Sequence, residues 1–218
     1  MNIFEEGSPF QRGLNRTADL LILNLLTLLM CIPVITAGAS LTAMHYVLLK
    51  MVRGEEGYIV KSFFRSFKRN FLQATVLWVI FLMIWGLMGS NLYMIIQGSG
   101  RYPIWLPSSI LVGAVCLIMI MIYTFAMLSR FDAGIFHTLV NAVMLTFGEL
   151  PRSLEMLVIT VVPLAAFMFS AILLPLLVLF GISVPGYACA MVYDPIFRKV
   201  EKQIAEEEAD SPDDSEWE

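Results

Sequence analysis

The sequence predicts an all-α fold: a polytopic integral membrane helical bundle of about five transmembrane helices with amphipathic interfacial elbow helices. Three observations carry this. Residues 20–49, 70–100, 102–129 and 156–193 each run without an acidic or basic side chain, and about 20 apolar residues suffice for a helix to cross a bilayer core. Only 15% of residues are charged and 58% are hydrophobic, where a soluble domain carries about 25% charged residues. The charges that remain are sorted: residues 203–218 hold eight acids and no base, while the rest has 14 bases against 10 acids. The chain therefore divides into an N-terminal segment (1–17), a basic membrane domain (18–202) and an acidic tail (203–218), whose composition predicts disorder.

The first span is expected over about 18–47. Arg12 and Arg16 before an apolar run, with Ala37-Gly38-Ala39 as a small-x-small site, resemble a signal peptide. Cleavage there would export Lys50, Arg53, Lys61, Arg65, Lys68 and Arg69, the densest basic cluster in the chain. Such clusters stay cytoplasmic, so an uncleaved span is the better reading. Within it, Pro33 and Gly38 break the helical pattern, and Thr36 and Ser40 can satisfy the backbone groups that a break frees. Asn24, Pro33, Thr36, Gly38 and Ser40 are therefore candidate functional positions. A kink or close helix contact is the bland reading of this segment and a substrate-lining break the functional one. The same residues could instead form a re-entrant hairpin.

An elbow follows over about 58–70. Val60, Phe63, Phe64, Phe67 and Phe71 share one helical face, and Lys61, Arg65 and Lys68 the other. That split predicts a helix in the membrane plane, with phenyl rings in the acyl boundary and bases among headgroups. Phe63, Phe64, Arg65, Phe67, Lys68, Arg69 and Phe71 are its candidate interfacial or partner-docking residues. The second and third spans are expected over about 71–95 and 103–128. Tyr93, Tyr102 and Trp105 are placed near their outer ends, where aromatics favour the interface, and Trp78 and Trp85 deeper. A weaker elbow, about 133–147, carries Ile135, Phe136, Leu139, Val140, Val143 and Phe147 on one face, with His137 and Asn141 on another. The fourth and fifth spans are expected over about 153–173 and 175–196, with the chain turning at Pro175.

With five spans and the C-terminus inside, the inner loops hold 11 bases and the outer segments three, Arg12, Arg16 and Arg101, which satisfies the positive-inside rule. This arrangement places the N-terminus outside. Two internal echoes hint at repeats: Phe67 aligns with Phe147 and Leu77 with Leu157, and Ala43-Met44-His45-Tyr46 aligns with Ala190-Met191-Val192-Tyr193.

Asp19, Glu155 and Asp194 sit near span ends, within reach of water or headgroups, and the deeper polar groups, Asn24, Thr36, His45, Asn91 and Thr124, are neutral. A proton-driven pump is disfavoured, because it needs a central chain of ionisable groups. No HExxH, GxSxG or P-loop occurs, so no enzyme is expected, and no catalytic, cofactor-binding or metal residue is assigned. Cys31, Cys116 and Cys189 lie in apolar stretches without CxxC spacing and read as small packing residues. Nucleic-acid binding is not expected.

Asp19, Leu23-Asn24-Leu25-Leu26, Ile32-Pro33, Thr36-Ala37-Gly38-Ala39, Ala43, and the Phe63-Phe64-Arg65 and Phe67-Lys68-Arg69-Asn70-Phe71 runs resemble the YesL family of bacterial membrane proteins, grouped as domain of unknown function 624. The resemblance extends over about 14–202. Cys31-Ile32 stands before Pro33 where the family pattern leads one to expect Ser-Leu. The family has no established activity and contributes no catalytic residues. Its members are often encoded beside carbohydrate-uptake ABC transporters and glycan-degrading enzymes. The resemblance therefore implies an accessory or regulatory component of oligosaccharide ABC uptake in the bacterial cytoplasmic membrane. Its expected partners are the bilayer and an ABC permease or ATPase subunit; the base count, separately, predicts a cytoplasmic C-terminus. The alternative is a small-solute or sugar transporter in its own right.

Overall fold

A computed structural model of the chain describes residues 9–55, 57–97, 103, 105–169 and 174–210. Every regular element among them is helical: α1 (Pro9–Cys31), a single 3-10 turn (Val34–Thr36), α2 (Ala37–Arg53), α3 (Ile59–Gln97), α4 (Trp105–Arg130), α5 (Ile135–Gly148), α6 (Leu150–Phe169), α7 (Leu174–Phe180) and α8 (Ser183–Asp210). Four helical segments, Gly13–Cys31, Val34–Arg53, Ile59–Gln97 and Trp105–Arg130, are long and apolar enough to cross a bilayer. The protein is an all-α membrane bundle.

The first correction concerns the span expected over 18–47, which is two helices. Pro33 restricts Ile32 to extended backbone, and α1 stops at Cys31. The chain then folds back. Ser40 Oγ donates to the Thr27 carbonyl at 2.9 Å, a contact that a continuous helix would place about 20 Å apart. Asn15, Arg16 and Asp19 line a common depression with Met51, Gly54, Glu55 and Ile59. The start of α1 therefore shares an end of the molecule with the basic α2–α3 linker, contrary to an N-terminus on the opposite side. We call this the basic end. α2 terminates at Gly54, whose φ of +71° places it in the left-handed region that glycine adopts without strain.

The second correction concerns the elbow expected over 58–70. Residues 59–97 form one uninterrupted helix of 39 residues, a contour of about 58 Å. Its face Phe63, Ser66, Asn70, Ala74, Leu77 and Phe81 is buried, and Phe64, Phe67 and Phe71 pack against the cores. The phenyl face is turned into protein rather than into the acyl boundary. The weaker elbow does stand as a separate helix, α5. It keeps Thr138, Ala142 and Thr146 inside and exposes Phe136, Met144 and Phe147.

The third difference lies at the C-terminal side. The stretch expected to form one span over 175–196 is divided between α7 and α8 at Gly181–Ile182. α8 runs on to Asp210 and takes in the first part of the acidic segment. Residues 211–218 lie outside the described residues, as do Tyr102, Arg101 and the rest of the 98–102 turn. The main core joins Leu23, Met44, Leu48, Phe63, Tyr123, Met156, Tyr193 and Phe197 from six helices. A second core, Ala39, Ala74, Leu77, Phe81, Leu117 and Phe125, fastens α2 to α3 and α4.

Candidate functional site

Four of the five candidate residues, Pro33, Thr36, Gly38 and Ser40, lie at the α1–α2 turn or the start of α2. Thr36 Oγ1 lies 2.6 Å from the Met30 carbonyl, an oxygen in the last turn of α1, and 2.8 Å from that of Pro33, which also accepts the Thr36 backbone N–H. Trp78 Nε1 donates to the Val34 carbonyl at 2.7 Å, tying the turn to α3. A Cβ on Gly38 would stand 2.5 Å from the Ala74 carbonyl oxygen and 2.6 Å from the Trp78 Cβ. Glycine is what allows α2 and α3 to meet this closely.

Asn24 acts at a distance. It is fully buried, and its Oδ1 accepts the backbone N–H groups of Ile182 and Ser183 at 3.0 and 2.9 Å. Its Nδ2 donates to the Val178 carbonyl at 2.7 Å. One side chain thus caps the start of α8 and takes a carbonyl of α7. It satisfies the break in the last apolar stretch, as broken helices at membrane depth require. The two breaks of the molecule are joined through α1.

Beside them lies a cavity of about 250 Å³ among α2, α3, α4, α6 and α8. Its wall is almost wholly apolar, with Leu41, Trp85, Ile118, Met121, Phe125 and Leu164, and carries His45, Thr160 and Cys189 as its polar groups. His45 Nδ1 lies 3.1 Å from the Tyr193 hydroxyl, and Thr160 Oγ1 lies 3.6 Å from Cys189 Sγ. The internal echo had aligned Tyr46 with Tyr193; the contact made is between the neighbouring His45 and Tyr193. Among the described residues, no three His, Cys, Asp or Glu side chains gather to hold a metal ion.

The basic end holds an ion-pair network that sequence reasoning missed. Asp194, expected to reach water, is buried and paired with Arg53 Nε at 2.6 Å and Arg198 Nε at 2.7 Å. Arg53 Nη1 also meets Glu201 at 3.1 Å, and Arg130 Nε meets the same carboxylate at 2.7 Å. Burial raises the Glu201 carboxyl, but hydrogen bonds from Arg130 and Arg53 outweigh it and hold the group below its ordinary range. The network draws the ends of α2, α4 and α8 together. Its one local trace in the sequence is the i, i+4 spacing of Asp194 and Arg198.

Of the candidate docking residues, Phe63 is buried and Phe64, Phe67 and Phe71 are half-buried, so they act in packing. Arg65, Lys68 and Arg69 are exposed, and Arg69 pairs with Asp132 at 2.8 Å. Arg65 and Lys68 share a helical face with exposed Lys61, and these three make no ion pair among the described residues.

The fold and its four helices long and apolar enough to cross a bilayer define a multi-pass helical membrane protein. Residues 20–92 match the family model described as "Protein of unknown function, DUF624". The resemblance to YesL-type proteins thus holds from the body of α1 through most of α3, the segment that carries the break, the Gly38 contact and the Phe face. No curated protein and no solved structure matches the chain.

Proposed function

We propose that the chain is a non-enzymatic accessory or regulatory component of carbohydrate ABC uptake in the bacterial cell membrane, acting through its basic end on the cytoplasmic side. The observation that carries this is the exposed cationic face of α3. Lys61, Arg65 and Lys68 stand in one row, held by Phe63, Phe67 and Phe71 packed behind them. A row of exposed cations on a helix whose backbone is held by packing suits an acidic partner surface, because little backbone freedom is lost on docking. The carbohydrate assignment rests on what the family resemblance implies about neighbouring genes. The test places a photoreactive amino acid at Lys61 or Lys68 in cells induced on a complex glycan. An adduct with an ABC permease or ATPase subunit is expected, and it should be lost when Arg65 and the remaining lysine become serine. Adducts with lipid alone would remove this reading.

The solute-carrier reading is favoured by the cavity and the two breaks, since carriers build sites where helices are discontinuous. A sugar, however, needs a hydrogen-bonding partner for nearly every hydroxyl it buries, and this wall is apolar. Sugar flux into vesicles containing the purified protein would reverse the order of the two readings.

A further inference from the structure

We propose that the cavity among α2, α3, α4, α6 and α8 is a binding site for a single alkyl chain. The argument begins with the wall, where Leu41, Ile118, Met121, Phe125 and Leu164 supply aliphatic, thioether and ring surface. Water in a buried site requires two to four polar partners, and apolar cavities of about 150 Å³ stay dry and take up a hydrocarbon ring. This cavity, at about 250 Å³, is larger and has room for a chain segment. Its rim reaches the outer surface of the bundle at Leu164, which is 42% exposed, so a chain can enter sideways from the bilayer. Its wall carries His45, whose Nδ1 lies 3.1 Å from the Tyr193 hydroxyl and whose Nε2 makes no hydrogen bond among the described residues. One hydrogen-bonding group among apolar walls fits an amphiphile that is mostly hydrocarbon. The chain could belong to a phospholipid or to a free fatty acid. The site's chemistry is the same for both, and it is independent of whether the basic end docks a transporter.

The full chain, reconstituted in phosphatidylethanolamine and phosphatidylglycerol vesicles, is irradiated with a palmitoyl chain bearing a diazirine. One arm carries the probe as the free acid and the other as the acyl chain of phosphatidylethanolamine. Adducts are expected on lining residues such as Met121, Met44 and Cys189. Ile118→Trp and Leu164→Trp fill the cavity from two different walls. Excluding about two methylenes should lower the lining adducts about tenfold, whereas Val112→Trp, on an exposed position of α4, should leave them unchanged. Labelling in one arm identifies that source, and labelling in both shows that the chain alone is recognised. Adducts confined to outward-facing positions such as Val112 and Val158, or lining adducts that persist in both filled variants, would overturn the proposal. Monodisperse elution and an unchanged helical signal distinguish a filled site from a misfolded protein.

Discussion

Glu201 meets two arginines that lie 148 and 71 residues away in the chain. Its carboxyl is held below the ordinary range by Arg130 and Arg53 against the opposing effect of burial. A carboxyl with a depressed folded-state value stabilises the fold fully above its unfolded value, and that contribution disappears as pH falls through the folded one. Glu201→Gln should therefore lower the thermal midpoint in detergent at neutral pH, by an amount on the order of 1 kcal/mol. The gap from the parent protein should narrow only as pH falls below the ordinary glutamate range, because the folded carboxyl stays ionised until its own lower value is passed. A gap that stays constant across the titration would mean that Glu201 acts through packing and not through charge. Little of this was legible in the sequence. Asp194 and Arg198 announce each other at i, i+4, but Arg53 and Arg130 reach the same network only after α2, α4 and α8 have been brought side by side. Asp194, read alone, looked like an acid at a span end free to reach water.

Helices α2 and α3 pack through small residues. Ala39 and Ala74 are both fully buried, and Gly38 faces backbone. Because the atom that blocks a Cβ there is the Ala74 carbonyl oxygen, no side chain can rotate away, and the helices themselves must separate. Gly38→Ala should cost about 1–3 kcal/mol, seen as a lower melting midpoint in detergent. Gly86→Ala on α3, with nothing within 4 Å of its added Cβ, should be neutral or slightly stabilising through helix propensity. Equal effects at the two glycines would place the cost in backbone entropy rather than in the α2–α3 contact. The same pair of helices marks how far periodicity can be read. The i, i+3, i+4, i+7 face of Phe63, Phe67 and Phe71 correctly announces a helix, yet an apolar face is equally consistent with lipid and with protein. What settles the choice is the partner. Phe63 enters a core with Val47, Leu48 and Tyr193; the first two reach it only because α2 and α3 fold against each other about the turn at Gly54, and Tyr193 stands far off in sequence.

For the molecule as a whole, that direction decides the topology. A break at Pro33 is legible, as are the uncharged stretches that make the chain a membrane bundle. Whether α2 continues α1 or folds back against it is not, because base counting accepts both. Folding back places Arg16 beside the basic α2–α3 linker, a stronger charge asymmetry than the five-span arrangement gives. The contact that decides is Ser40 to Thr27; Ser40 stands out in the break segment, but nothing in the sequence marks Thr27 as its partner. The consequence is measurable in whole cells with an impermeant maleimide, against a background in which Cys31, Cys116 and Cys189 are replaced by serine or alanine. Gly13→Cys and Lys61→Cys should behave alike and, if the basic end faces the cytoplasm, should react only after permeabilisation. Ile35→Cys, at an exposed position of the α1–α2 turn, should show the opposite accessibility. Gly13→Cys reacting with Ile35→Cys from outside, while Lys61→Cys stays protected, would eliminate the folded-back arrangement. Gly13→Cys and Lys61→Cys both reacting from outside would keep the hairpin and invert the molecule, placing its cationic α3 face beyond the reach of any cytoplasmic ATPase.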